Sequence, residues 1–246
     1  MPSFKHGDAT IYYEEYGQGF PILTFAPGGM MSTIEFWHRP ASPVDPTKVF
    51  ASDFRVIAMD QRNAGQSTGP LDTGDPWGMF AADQLGLMDH LGIDRFSVIG
   101  CCIGCSYILE LIKRAPARVL SGAMEQPIGI DPDGSNLELF RERIWRGWGD
   151  GIVESRPDIT KDQLEAFGQK MWGGDFVLNV DEAFVKSVQT PLLVMPGLDP
   201  AHPHAIGLMV HELAPNSELL EPWREPAEVI PQTIEHIRAF LKKHAE

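Results

Sequence analysis

Short apolar runs alternate along the chain with stretches in which apolar residues recur every three or four positions. The first run, Thr10–Tyr16, is rich in β-formers and stops at Gly17-Gln18-Gly19, which predicts an early hairpin strand. Pro21–Ala26 and Phe54–Met59 read as buried strands; glycine-containing segments close them, Pro27-Gly28-Gly29-Met30 and Asp60–Ser67. From about Trp77 to Leu91 the spacing becomes helical, with Phe80, Leu85, Leu87, Met88 and Leu91 on the apolar positions. Phe96, Val98 and Ile99 form the next strand, which breaks at Gly100. Helical spacing resumes after Gly104 through Tyr107, Ile108, Leu111 and Ile112. Val119–Met124, Thr190–Gly197 and Ser217–Trp223 supply three more strand candidates, and a helix from about Glu225 to Lys243 ends the pattern. Strands alternating with helices predict an α/β protein with a mostly parallel sheet covered on both faces.

Composition narrows the partners rather than the fold. At 246 residues, 43% hydrophobic and 22% charged, the chain is long enough for a large core and ordinary for a globular protein. A net charge of −14 speaks against nucleic acid and anionic membrane surfaces, which call for basic patches. Three cysteines within five residues are no disulfide framework and suit a reducing compartment. The first residues lack the apolar segment of a secretion signal, and no run approaches a membrane span, so a cytoplasmic location is expected. A small-molecule substrate is the expected partner, and a homodimer is compatible with the sequence.

The chemistry concentrates at Gly100-Cys101-Cys102-Ile103-Gly104, a G-x-S-x-G pattern with Cys102 in place of serine. Such a turn from strand into helix is so sharp that its central residue is strained and its flanks must be glycine. The side chain is pushed up at a helix N-terminus, where the dipole favours an anion, so a thiol there ionises readily and becomes the nucleophile. Cys101 and Cys105 read as small packing residues. Cys102-x-x-Cys105 could instead hold a metal, but no second cysteine pair exists and no histidine is near in sequence. Neither a metal nor a cofactor is expected.

With these residues in hand, the chain resembles the α/β-hydrolase fold over nearly its whole length. Four signatures come in the family's order: the Gly28-Gly29 loop, Asp60-x-Arg62-x-x-Gly65-x-Ser67, the Gly100–Gly104 elbow, and Gly197-Leu198-Asp199. The cysteine elbow together with Asp199-x-x-His202-Pro203 is similar to a bacterial group of α/β-hydrolase proteins without an assigned substrate. A cysteine nucleophile on this fold also resembles the dienelactone hydrolases, although their full motif set is missing. The resemblance implies a core of residues 1–126 and 187–246, with a helical lid at 127–186. It implies an oxyanion hole from the backbone of Ile103 and of the Gly29–Met30 turn, and Asp199 as the acid that orients a base. Trp37, Trp145, Trp148 and Trp172 fall in the lid or in the loop beside the oxyanion turn, so an apolar, aromatic pocket is expected.

The base departs from the family pattern. The family places its histidine after the last strand, where this chain reads Leu219-Leu220-Glu221-Pro222-Trp223-Arg224-Glu225-Pro226. His236 and His244 lie in the final helix, and His90 and His211 read as structural. His202, three residues after Asp199, is the first candidate for the base. His38, after the oxyanion turn, is the second and a candidate pocket wall. The leading expectation is a cofactor-independent hydrolase of an ester, thioester or lactone, working through a Cys102 acyl-enzyme. Two alternatives stay open: a lyase or isomerase using the same pocket, and a small-molecule receptor without turnover.

Overall fold

A computed structural model describes residues 2–39, 42–174 and 176–245 of the chain. Eight strands form one sheet in the order β1-β2-β4-β3-β5-β6-β7-β8. They are β1 (Ser3–His6), β2 (Ala9–Tyr16), β3 (Phe20–Phe25), β4 (Phe54–Met59), β5 (Phe96–Cys101), β6 (Val119–Glu125), β7 (Leu192–Met195) and β8 (Ser217–Leu219). β1 and β2 pair antiparallel, as do β2 and β4; every pairing from β4 through β3 to β8 is parallel. All six residues of β5 are buried, as a central parallel strand with both faces covered requires.

The helices are α1 (Pro46–Val49), α2 (Pro76–His90), α3 (Ile103–Arg114), α4 (Gly147–Ser155), α5 (Lys161–Trp172), α6 (Glu182–Ser187), α7 (His204–Leu213) and α8 (Ile230–Lys243). α2 begins where Asp75 accepts a hydrogen bond from the Gly78 N–H, with proline at the first helical position. The sheet separates two apolar cores. One holds Leu23, Phe25, Val98, Ile108 and Met124 with residues of α2 and α3; the other holds Ile22, Val56, Ile99, Leu193 and Met195 with Ile237, Phe240 and Leu241 of α8.

Between β6 and β7 lie α4, α5 and α6, preceded by a wide π-type turn at Leu139–Arg146. Phe140, Trp148, Phe167, Met171 and Trp172 of this segment join the core of α2 and α3, and Phe167 meets the Phe80 ring edge-on at 6.3 Å. α5 is opened by a reciprocal pair of bonds between Thr160 and Gln163. Among the described residues no helix is long and apolar enough to cross a membrane.

Two elements differ from the sequence pattern. β1 was not legible because Ser3–His6 buries only Phe4 and is held in place by pairing with β2. The final helix starts at Ile230 rather than near Glu225, after a 3-10 turn at Ala227–Val229. Pro231 has no N–H to donate and fits only the first turn, so a regular helix cannot begin well before it.

Candidate active site

β5 runs into α3 through Cys102, whose φ of 61° and ψ of −120° are costly for a residue with a side chain. The surroundings enforce the turn. A Cβ on Gly100 would lie 2.4 Å from the Gly104 carbonyl oxygen, and one on Gly104 would lie 2.5 Å from that of Phe25. Strand, turn and helix therefore approach more closely than any larger residue allows. The Cys102 N–H donates to the Glu125 carbonyl at 3.0 Å, which ties the elbow to β6. Cys102 is half-buried, while Cys101 and Cys105 are buried. The Cys105 thiol is occupied by the carbonyls of Gly100 and Glu125 at 3.2 and 3.3 Å.

Asp199 and His202 stand in the loop after β7. The Asp199 carboxylate accepts the Ala201 and His202 backbone N–H groups at 2.9 and 3.1 Å, which shapes the turn. The same carboxylate holds His202 Nδ1 at 2.8 and 2.9 Å. With Nδ1 committed, Nε2 is the nitrogen left for Cys102; it is buried and has no hydrogen-bond partner among the described residues. Cys102 and His202 line one cavity, and Asp199 holds the imidazole there.

The charges respond to that contact. Burial opposes ionisation of the Cys102 thiol. The His202 charge and the backbone N–H groups of Gly28 and Ile103 outweigh it, and the thiol is held below its ordinary value. For His202 burial again opposes charge, but the Cys102 charge and the bond to Asp199 push the imidazole up to about 10. The His202 hydrogen bond holds Asp199 down to about 2. Thiolate and imidazolium stabilise each other. Burial drives Cys101 and Cys105 well above the usual thiol range, so neither competes as an anion.

Above the sulfur lies a cavity of about 440 Å³, walled by Gly28, Gly29, Met30, Met31, Ile128, Phe140, Trp148, Trp172 and Ala201, with Cys102 and His202 at its base. Gly28, Gly29 and Met30, the turn expected to supply oxyanion donors, all line the cavity. Gly28 has φ 123°, and the Phe36 ring stands 3.0 Å from where its Cβ would be. A side chain there would press on that ring in a conformation that glycine adopts freely.

Three expected pocket residues lie elsewhere. Trp37 is buried in the other core, with Ala26, Cys101 and Trp223, because the chain after Ser32 turns down beside the sheet rather than over the cavity. His38 pairs with Asp45 through Nδ1 at 2.8 Å, Lys48 is 2.8 Å from the same carboxylate, and His38 is not among the residues that line the cavity above Cys102. Trp145 packs flat on Gly168 of α5, where a Cβ would fall 1.8 Å from its ring. It faces away from the cavity, into a groove with Arg146 and Glu165.

The segment 21–176 matches the family model described as alpha/beta hydrolase fold. The chain belongs to the α/β-hydrolase family. RutD of Azorhizobium caulinodans, to which carbamate hydrolysis is attributed, is 35% identical over 124 residues, 49% of this chain and 42% of that protein. The matched part thus spans less than half the length of that curated relative. Est816, solved as an N-acyl homoserine lactone degrading enzyme, superposes with a TM-score of 0.67 at 23% identity, over 97% of this chain and 100% of the other. The enol-lactonase of Burkholderia xenovorans LB400 gives 0.66 at 18% identity, over 98% and 100%. At such identities these two structures speak for the fold alone.

Glu125, at the end of β6, is fully buried, and neither carboxyl oxygen has a hydrogen-bond partner among the described residues. The Arg224 guanidinium, in the loop where the family's histidine is usual, bonds the neighbouring Gln126 side chain. Burial raises the Glu125 carboxyl to about 8, opposed by the Arg224 charge and assisted by that of Asp45. Sequence reasoning passed over Glu125, Met31, Ile128 and Ala201. The one available signal was a glutamate closing an apolar strand, Ala123-Met124-Glu125. No group of three or more His, Cys, Asp or Glu among the described residues could hold a metal ion.

Proposed function

We propose that the chain is a cofactor-independent hydrolase that cleaves a small acyl compound, an ester, thioester or lactone, through a covalent Cys102 intermediate. The observation that carries this reading is the strained Cys102, at φ 61°, coupled to an imidazole that Asp199 anchors through Nδ1. The Cys102 thiolate attacks the substrate carbonyl carbon. The negative charge that develops on the carbonyl oxygen is taken by the Ile103 and Gly28 N–H groups. Collapse expels the leaving oxygen or sulfur, which receives the Nε2 proton of His202. A water then loses a proton to Nε2 and attacks the thioester carbon, and the acid leaves as the thiolate and imidazolium are restored. Asp199 keeps the proton on Nδ1 throughout, so that Nε2 remains the exchanging nitrogen.

A serine hydroxyl needs a base to become nucleophilic, whereas a thiol paired with an imidazolium is already ionised. The activities attributed to the relatives, a carbamate hydrolase, a lactone-degrading enzyme and an enol-lactonase, fit an acyl-bond chemistry of this kind. Residues 127–186 would act as the lid, since Phe140, Trp148 and Trp172 supply the cavity's aromatic walls. The receptor alternative drew its support from the missing late histidine; the Asp199–His202 pair offers a base in its place and so favours turnover.

Rapid mixing with 4-nitrophenyl acetate, followed by intact-mass measurement, tests the proposal. A burst of nitrophenolate and an acetyl adduct on the Cys102 peptide are expected, and Cys102→Ala should abolish both. Turnover that survives in Cys102→Ala, or an adduct confined to another residue, would overturn it.

A further inference from the structure

The signature Asp60-x-Arg62-x-x-Gly65-x-Ser67 contributes no residue to the cavity above Cys102, yet it is bonded to the turn that forms one wall of it. That wall is Gly28–Met31, a 3-10 turn entered through two glycines at φ 123° and 57°. Glycines bring no side chain to fix such a turn, so the direction of its N–H groups has to come from its neighbours. Ser32 closes it. Fully buried, Ser32 donates its hydroxyl to the Ala26 carbonyl at 2.7 Å and its N–H to the Gly29 carbonyl at 3.3 Å. One residue thus spans the turn from its entry to its middle. The Ser32 carbonyl accepts the Gln61 N–H at 3.0 Å, and two residues on, the Ile34 N–H donates to Asp60 Oδ1 at 2.9 Å. Asp60 Oδ2 accepts the Gln66 N–H at 2.8 Å, and a Cβ on Gly65 would fall 2.2 Å from it. Ser67 completes the frame: it donates to the Asp60 carbonyl at 2.8 Å and accepts the Tyr12 N–H at 2.9 Å, which fastens it to β2.

We propose that Ser32 and Asp60 are positioning residues that aim the N–H groups of the Gly28–Met30 turn at the oxygen of the carbonyl under attack. Both act through the turn, from outside the cavity lining. This rests on the hydrolase reading for the charge that arrives at the turn, but not for how the turn is held. Donors fixed in advance stabilise a developing oxyanion without reorganising, and a shift of about 1 Å can cost about 10²-fold. Without the Ser32 hydroxyl the Ala26 carbonyl loses this donor, and the turn loses the bond across its entry.

The experiment measures the nitrophenolate burst from 4-nitrophenyl hexanoate in wild type, Ser32→Ala and Asp60→Asn. Alanine deletes only the hydroxyl; asparagine keeps the carboxylate's shape but sets an NH₂ group against the Ile34 or Gln66 N–H. Each variant should slow the burst by about tenfold to hundredfold, while the ester concentration at half-saturation changes less than about threefold. A residue that serves stability alone would lower Tm and leave the burst of folded protein unchanged. A burst within about threefold of wild type in either folded variant overturns the proposal. A second readout needs no turnover: protection of Cys102 from iodoacetamide by hexanal and by hexanamide. The Cys102 sulfur adds reversibly to the aldehyde carbon, and the former carbonyl oxygen, now carrying the charge or the thiol's proton, takes the oxyanion position. Hexanamide only fills the cavity. In wild type hexanal should protect at the lower concentration. Each variant should weaken hexanal by about tenfold or more and hexanamide by less than about threefold. That pattern supports the proposal even if no ester is cleaved, in which case only the hydrolase reading fails. Equal protection by both compounds in wild type, or an equal loss of both in the variants, refutes the positioning role.

Discussion

Replacing Glu125 by glutamine tests the electrostatics beneath the elbow. The carboxyl is fully buried and has no hydrogen-bond partner among the described residues. Burial raises it from 4.5 to about 8, with the Arg224 charge partly opposing and that of Asp45 adding. In the unfolded chain the same group ionises near its ordinary value. A carboxyl raised on folding binds its proton more tightly in the folded state. Its contribution to stability is therefore complete below about pH 4.5 and is lost as the pH rises to about 8. At about 1.4 kcal/mol per pH unit, the gap between 4.5 and about 8 corresponds to about 5 kcal/mol. Glutamine has nearly the same shape and never ionises. Its extra N–H donors add a cost that does not vary with pH, so the difference between variant and wild type isolates the carboxyl. Thermal melts of both proteins from about pH 5 to pH 9 should diverge in favour of the variant as the pH rises. At about 2–4 °C per kcal/mol, the relative gain in Tm should reach 10 °C or more. Melting curves that stay parallel across the range, or a difference that shifts towards wild type at high pH, would refute the reasoning.

His202→Gln should lower kcat by about 10²–10⁴-fold, the usual worth of a positioned acid–base group. It should also move the pH profile of Cys102 alkylation to higher pH, because burial then acts on the thiol without the opposing imidazolium charge; an unmoved profile measured with iodoacetamide would exclude the pairing. In wild type, brief alkylation near neutral pH should label Cys102 and spare the buried Cys101 and Cys105, as peptide mass spectrometry would show. Gly104→Ala should destabilise the chain by several kcal/mol in denaturant titration, since its Cβ would press against the Phe25 carbonyl at 2.5 Å. A fully stable alanine variant would mean that the elbow is looser than its geometry states.

The residues themselves determined the α/β architecture, because apolar runs and helical spacing report burial directly. Phe96–Ile99, the Gly100 and Gly104 pair and the helical pattern after them together encode the elbow, since only glycines admit so close an approach. The loop after β7 was equally legible as far as Asp199. What required the tertiary structure is everything that depends on direction. His202 and His38 are similar in sequence terms, each an imidazole near a turn, yet one has its free nitrogen beside Cys102 and the other is held by Asp45. Trp148 and Trp172 line the cavity while Trp37 and Trp145 pack elsewhere, because which face of a helix or loop is buried, and against what, is settled by the whole fold. Glu125 is the clearest case. Its place at the end of a strand is local, but its unpartnered carboxyl is created only when β5, β6 and the Arg224 loop close around it. Burial and charge coupling belong to the assembled neighbours, and no spacing along a chain contains them.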